Sequence, residues 1–233
     1  ERLLTGLDEV DFPESVKEMQ RNWIGKSVGA EVDFLISHSA VLPDQQKHIK
    51  VFTTRPDTIF GVSFMVLAPE HELVGLITTK EQRQEVHNYK KYVSARSERE
   101  RLAETKKISG AFTGAYAIHP FTKKEIPIWI SEYVLAGYGT GAIMAVPSGD
   151  DRDFAFAKHF NLHIPNIFKD TDISEQAFTD KSGLLQHSDF LDDLSAQDAA
   201  NVAIQRLEAE NIGTRKINYR MRDAGFSRQR YWG

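Results

Sequence analysis

The chain has 233 residues, of which 41% are hydrophobic, so it is long enough to bury the core of one large domain. It has no cysteine, which excludes disulfides, thiolate metal sites and a cysteine nucleophile and is compatible with a cytoplasmic location. The net charge is −4, whereas free-standing nucleic-acid-binding domains are more often basic, so any RNA contact would be local or shared with other parts of a longer protein. No stretch approaches the roughly 20 apolar residues of a membrane span, and residues 1–25 lack the layout of a signal peptide.

Hydrophobic periodicity predicts both strands and helices. Residues 13–27 indicate a short helix, capped by Ser15, and then a turn. Alternating or continuous apolar runs predict strands at 32–36, 49–53, 59–67, 112–119, 125–131, 141–146 and 216–221. Spaced apolar residues predict further helices at 70–78, at 80–94, from about Asp150 onward and at 195–211. The helix from Asp150 should carry Phe156 and Phe160 on one face, and Gly213 should stop the last helix.

Strands outnumber helices without the regular alternation of a doubly wound sheet. This favours an α+β domain built on a closed or nearly closed β-barrel, with peripheral helices and flanking β-ribbon linkers. The two ends resemble cut edges of a longer chain, because residues 226–233 form a basic, aromatic run. We therefore assign residues 1–27 and 216–233 to linkers and residues 28–215 to the domain.

Residues 53–58, Thr-Thr-Arg-Pro-Asp-Thr, form a hydroxyl-rich bend that leaves a predicted strand. Threonine is stiff at its first side-chain torsion, so its methyl and hydroxyl groups occupy fixed places and suit a wall that rejects ligands by shape. Pro56 restrains the bend and moves Arg55 away from helical geometry. A strand end with surface hydroxyls is the alternative interpretation.

The second segment that contains candidate functional residues is 139–153. A small-residue strand, from Gly139 to Pro147, runs into an acidic helix start. Asp153 falls in the first helical turn, where the helix dipole favours a carboxylate and where it could receive an ammonium group. Asp150 either shares that face or caps the helix. Both could also be ordinary acids of a helix start.

Other site types find little support. The glycines at 139 and 141 precede a strand and are not followed by Gly-Lys-Ser/Thr, which argues against a phosphate loop. His159 and His163 are four apart but lack the glutamate of a zinc hydrolase, and there is no Gly-x-Ser-x-Gly elbow. Residues 80–107 are basic but largely offset by glutamates, as on a solvated helix face. A cleaner basic cluster, which could meet the phosphates of a nucleic acid, comprises Arg215, Lys216, Arg220, Arg222, Arg228 and Arg230.

Together, segments 53–58 and 139–153 resemble the two walls of the editing pocket in leucyl-tRNA synthetases of the bacterial and mitochondrial type. The resemblance extends over about residues 10–233 and includes both connecting linkers. Asp57 favours the leucyl enzymes, since the related valyl enzymes usually have glutamate there. One departure is that the family commonly has Gly-His-Asp where this chain has Ser-Gly-Asp, so a catalytic histidine at position 149 cannot apply.

The resemblance implies specific residue roles. Asp153 would grip the α-ammonium of the esterified amino acid and, with Thr53 and Thr54, form the catalytic set. Thr58 would exclude leucine. The remaining residues expected in or near the pocket are Arg55, Tyr138, Met144, Val146 and Asp150.

The resemblance also implies the reaction. The substrate would be the 3′ end of tRNA(Leu) mischarged with isoleucine, valine, norvaline or methionine, and the reaction would be ester hydrolysis by a positioned water. No cofactor or metal is expected in this domain. The chain lacks His-x-Gly-His and Lys-Met-Ser-Lys-Ser, so ATP and Mg²⁺ would act elsewhere in a full-length, cytoplasmic and monomeric synthetase. A non-catalytic tRNA-docking module remains the rival interpretation.

Overall fold

The computed structural model describes residues 1–37, 42–97, 100–101, 107–137, 139–180 and 182–219. Within these ranges, no helix is long and apolar enough to cross a membrane.

The centre of the fold is a seven-stranded mixed sheet. Its strands are β1 (Lys26–Ile36), β2 (His48–Thr53), β3 (Phe64–Leu67), β4 (Ala111–Ile118), β5 (Glu125–Ile130), β6 (Ala142–Ala145) and β7 (Gly213–Tyr219). The strand order is β2-β1-β4-β5-β3-β6, and β7 pairs with β1. Only the β3–β5 pair is parallel among the pairings described.

β1 organises one half of this sheet because it pairs with three strands. Residues 30–35 pair with β2, residues 26–32 pair with β7, and residues 35–36 pair with β4. β4 and β5, which match the strands predicted at 112–119 and 125–131, pair antiparallel as a hairpin. β2 and β6 line a common cavity, yet no strand pairing among the described residues joins these two edges. The combination of helices with a mixed sheet confirms the predicted α+β class, but the sheet is not closed into the predicted barrel.

Six helices surround the sheet within the described ranges. They are α1 (Arg2–Glu9), α2 (Glu14–Ile24), α3 (Leu73–Ile77), α4 (Arg83–Ser94), α5 (Asp151–His159) and α6 (Ala196–Ala209). Three short 3₁₀ helices lie at Asp44–Gln46, Pro56–Gly61 and Asp189–Leu191.

Three local predictions were wrong in their details. Pro13, with no side-chain bond, precedes α2 where Ser15 was expected to cap it. Only Phe64–Leu67 of the predicted strand 59–67 is a strand, because Pro56 begins a 3₁₀ helix that continues to Gly61. α6 ends at Ala209, and Asn211 adopts a left-handed φ of 54°. Gly213, expected to stop that helix, lies in β7 instead.

The core holds the two walls of the predicted pocket in place. Phe156, on α5, stacks on Phe64 of β3 with ring centroids 5.2 Å apart and contacts Phe160 at 4.5 Å, as the helical spacing predicted. α6 buries one face and packs against the 3₁₀ helix Pro56–Gly61. Burial of such apolar faces is the main stabilising term in a domain of this size, so both walls are anchored in the core.

The two predicted linkers lie only partly within the described residues. Residues 2–24 are mostly helical, in α1 and α2, and the antiparallel ribbon is formed by β1 and β7. Residues 220–233, which include four of the predicted basic cluster, lie outside the described residues. The boundaries at 27/28 and 215/216 remain predictions.

Candidate active site

A cavity of about 400 Å³ lies between the two predicted walls. One wall is the end of β2 with the following 3₁₀ helix, and the other is β6 with the start of α5. Its lining includes Thr53, Thr54, Arg55, Thr58, Met144, Val146, Asp150 and Asp153. Eight of the nine predicted site residues therefore meet in one cavity. The ninth, Tyr138, lies outside the described residues.

The threonine wall is rigid because its side chains bond to the local backbone. The Thr53 hydroxyl oxygen accepts the Arg55 N–H at 3.0 Å, and the Thr58 hydroxyl donates to the Arg55 carbonyl at 2.9 Å. Thr58 is buried and Thr54 is exposed. Because its hydroxyl is bonded to the backbone, the Thr58 side chain has a fixed position where it lines the cavity.

An ion pair with one buried partner, Asp57, holds Arg55 in this wall. The Arg55 guanidinium donates to both carboxylate oxygens of Asp57, with the shortest contact 2.8 Å between Nη2 and Oδ2. The Asp57 side chain is almost fully buried, whereas that of Arg55 is partly exposed at the cavity. Breaking a buried pair on one side is strongly destabilising, so Asp57 fixes the position of Arg55.

Asp150 caps helix α5. Its Oδ1 accepts the N–H of Arg152 at 2.9 Å and that of Asp153 at 3.1 Å, which satisfies two amides at the helix start. Of the two roles predicted for Asp150, the structure thus shows the helix cap. Asp150 nevertheless also lines the cavity, so it adds negative charge near Asp153.

Asp153 is a buried carboxylate with two donors. Its Oδ2 accepts the Val146 N–H at 2.9 Å, and its Oδ1 accepts the Tyr133 hydroxyl at 3.0 Å. Burial, and then the charge of Asp150, raise the pKa of Asp153 to about 7, although both hydrogen bonds and Arg152 oppose the rise. Burial and the nearby Asp153 raise the pKa of Tyr133 well above its ordinary value. Such a carboxylate in a cavity is typical of a functional site.

Some lining residues were missed by sequence reasoning. Tyr133, Val134 and Leu135 follow β5 and border the cavity beside Asp153. No periodicity or motif links this turn to the helix start at Asp153. The only hint in the sequence was an aromatic residue with a polar tip next to the end of a strand.

Gly149 borders the cavity at the position where the predicted family commonly has histidine. A β-carbon there would lie 3.2 Å from Phe168 Cζ, so a larger side chain would require Phe168 to shift. In the described part of the chain, no group of three or more histidine, aspartate and glutamate side chains could hold a metal.

A cavity with threonine side chains on one wall and a buried carboxylate on the other is suited to a small polar ligand. Residues 21–208 match the family model described as leucyl-tRNA synthetase, editing domain. The chain therefore belongs to the family of leucyl-tRNA synthetase editing domains.

Curated relatives agree with this family. The chain is 61% identical over its whole length to leucine–tRNA ligase of Christiangramia forsetii and 58% identical to that of Flavobacterium johnsoniae, covering 24% of each. It thus spans about a quarter of the length of these relatives. Among solved structures, it is similar to the ternary complex of Agrobacterium radiobacter K84 agnB2 LeuRS with tRNA and LeuAMS. That match has a TM-score of 0.72 and 32% identity, covering 95% of this chain and 24% of the other.

Proposed function

We propose that this chain is the post-transfer editing domain of a leucyl-tRNA synthetase. It would hydrolyse the ester bond of tRNA(Leu) mischarged with isoleucine, valine, norvaline or methionine. The observation that carries the proposal is that the buried Asp153 carboxylate and the threonine wall face one cavity of about 400 Å³. Family membership over residues 21–208 supports the same function.

Asp153 is the receptor for the α-ammonium group of the esterified amino acid. The carboxylate is removed from water and lies beside Asp150, so a cationic group in the cavity would relieve its unfavourable charge. Two hydrogen bonds hold the carboxylate in place, and both of its oxygens retain acceptor capacity for an ammonium group.

Thr58 provides the selectivity. A synthetic pocket discriminates a missing or rearranged methyl group by only about 1–3 kcal/mol, so near-cognate amino acids are attached to tRNA at a significant rate. A second cavity must then accept these products and refuse leucine. The buried Thr58 side chain, which lines the cavity, suits the refusal of the branched leucine side chain.

Hydrolysis itself needs a positioned water. No cysteine exists in the chain, and the cavity lining offers no serine–histidine pair among its described residues. Thr53 and Thr54 line the cavity, and their hydroxyl groups can orient the ester and the attacking water. Positioning of this kind lowers the barrier chiefly by removing the entropic cost of assembling the reactants.

The remaining activities are proposed for the longer protein. It would ligate leucine to tRNA(Leu) with ATP and Mg²⁺ at a synthetic site outside this chain, and it would act as a monomer in the cytoplasm. The agnB2 LeuRS structure contains tRNA, which supports tRNA as the partner here.

A deacylation assay with Asp153→Ala tests the function. Wild-type protein should release isoleucine from isoleucyl-tRNA(Leu). Losing one partner of a desolvated charge pair costs about 2–5 kcal/mol, so Asp153→Ala should slow the release by a factor of about 30 to several thousand. Circular dichroism would show that the variant is folded. A wild-type protein that binds tRNA(Leu) without accelerating the release would instead support the rival docking module.

A further inference from the structure

We propose that Tyr133 is a positioning residue for Asp153, whose hydroxyl fixes the carboxylate toward the ammonium group of the substrate. The proposal rests on the proposed function, since it deepens the role of the same cavity. Tyr133 lies in the turn after β5, far from α5 in the sequence, and both Tyr133 and Asp153 border the cavity.

The geometry makes Tyr133 one of two anchors. The Tyr133 hydroxyl donates to Oδ1 of Asp153 at 3.0 Å, while the Val146 N–H donates to Oδ2 at 2.9 Å. Each carboxylate oxygen has its own donor, and the two donors lie in different segments of the chain. The two hydrogen bonds therefore fix the orientation of the carboxylate plane as well as its position. The Tyr133 ring in turn packs edge-on against Phe156 in the core, with centroids 5.9 Å apart, so the donor cannot easily swing away.

The charged groups around Asp153 show why a neutral donor matters. Asp150 caps helix α5 and Arg152 lies in its first turn, where it is exposed and borders the cavity. From the opposite wall comes Arg55, whose guanidinium is occupied by Asp57 at 2.8 Å. In the described part of the chain, no salt bridge reaches Asp153. The carboxylate is therefore stabilised by hydrogen bonds while its charge stays available for a cationic ligand.

This arrangement predicts a result that simple space-filling by Tyr133 would not. Removing a donor from an ionised carboxylate raises its pKa. Tyr133→Phe should therefore move the acidic limb of the pH profile of kcat/KM to higher pH. Because a hydrogen bond to a charged group is strong, the KM for isoleucyl-tRNA(Leu) should rise about tenfold near pH 7. The rise should shrink at higher pH, and kcat should change much less.

Tyr89→Phe is the matched control. Its hydroxyl pairs with Ser109 Oγ at 2.9 Å and accepts the Glu132 N–H at 3.0 Å, and Tyr89 is not part of the cavity lining. Like Tyr133→Phe, the Tyr89→Phe variant loses a half-buried tyrosine hydroxyl. Its behaviour therefore shows the effect of losing structural hydrogen bonds away from Asp153. The pH profile of Tyr89→Phe should match that of wild type.

A second measurement does not depend on catalysis. Carbon-13 labelling of aspartate carboxyl groups, assigned with Asp153→Asn, gives the pKa of Asp153 directly by NMR. Tyr133→Phe should raise this pKa, and Tyr89→Phe should leave it unchanged. Incorporating 3-fluorotyrosine at position 133 makes the hydroxyl a stronger donor and should lower it, which provides a test even if Tyr133→Phe fails to fold.

The outcomes separate the two proposals. An unchanged Asp153 pKa in Tyr133→Phe or in the fluorinated protein, or a pH profile like that of Tyr89→Phe, would overturn the role of Tyr133. A wild-type protein without deacylase activity would reject the editing function, while the NMR titration would still decide whether Tyr133 holds Asp153.

Discussion

Replacing Thr58 should change which amino acids the cavity admits, at little cost to stability. Thr58 is 3% exposed, and its hydroxyl donates to the Arg55 carbonyl at 2.9 Å. The same carbonyl accepts the Thr58 N–H at 3.1 Å, so Thr58→Ala leaves this oxygen with a donor. Loss of one neutral hydrogen bond and one methyl group should lower the free energy of unfolding by about 1–2 kcal/mol.

The effect on selectivity should be larger. Space for one methyl group changes discrimination in an apolar pocket by about 1–3 kcal/mol, or about 10–200-fold. Thr58→Ala should therefore accelerate hydrolysis of leucyl-tRNA(Leu) by a factor in this range. Hydrolysis of isoleucyl-tRNA(Leu), which the wild-type cavity already accepts, should change little.

Two matched variants separate shape from hydrogen bonding. Thr58→Val keeps the branched shape without the hydroxyl and should still spare leucyl-tRNA(Leu). Thr58→Ser keeps the hydroxyl without the methyl group and should behave like Thr58→Ala. The assay follows release of labelled leucine or isoleucine from charged tRNA by the full-length protein that contains this chain. The steric account fails if Thr58→Val hydrolyses leucyl-tRNA(Leu) as fast as Thr58→Ala does, or if Thr58→Ala spares it.

Two further predictions concern stability. The folded pKa of Asp153, about 7, lies above its ordinary value of 3.8, so the stability contributed by the protonated Asp153 carboxyl is complete below about pH 4 and is lost as the pH rises to about 7. The difference in the free energy of unfolding between Asp153→Asn and wild type, measured with urea, should therefore shift by up to about 4 kcal/mol in favour of the variant between about pH 4 and pH 7. A difference that does not depend on pH would contradict this. A β-carbon at Gly29 would overlap the Thr53 carbonyl oxygen, so Gly29→Ala should destabilise the fold by more than about 2 kcal/mol. Gly6→Ala on α1, where a β-carbon meets nothing within 4 Å, is the control and should be neutral or stabilising; equal stability of the two alanine variants would refute the argument.

Local sequence patterns predicted most elements because each buries one face. β1 and β2 alternate buried and more exposed residues, and α6 buries Ala199, Ala203, Ile204 and Leu207 with the spacing expected of a helix. The continuous apolar run at 59–67 predicted one buried strand, because composition alone does not distinguish a buried strand from a buried helical segment. Tertiary packing against α6 and the bond from Thr58 to Arg55 favour the 3₁₀ helix there.

The site was predictable where its residues lie in compact motifs. Segment 53–58 and the helix start at Asp153 carried the resemblance, and the structure brings them to one cavity. Tyr133 was not predictable, because its contact with Asp153 depends on how the turn after β5 meets α5. The barrel was predicted from the number of strands, but closure depends on the pairing of edge strands, which composition does not determine.

The most direct test of the editing function is the ratio of hydrolysis rates for isoleucyl-tRNA(Leu) and leucyl-tRNA(Leu). Both substrates would be prepared from the same tRNA and given to the full-length protein that contains this chain, with Asp153→Ala as the inactive reference. We predict rapid release of isoleucine and a rate of leucine release close to that of Asp153→Ala. Equal rates for the two amino acids, or release of neither above the Asp153→Ala rate, would contradict the account.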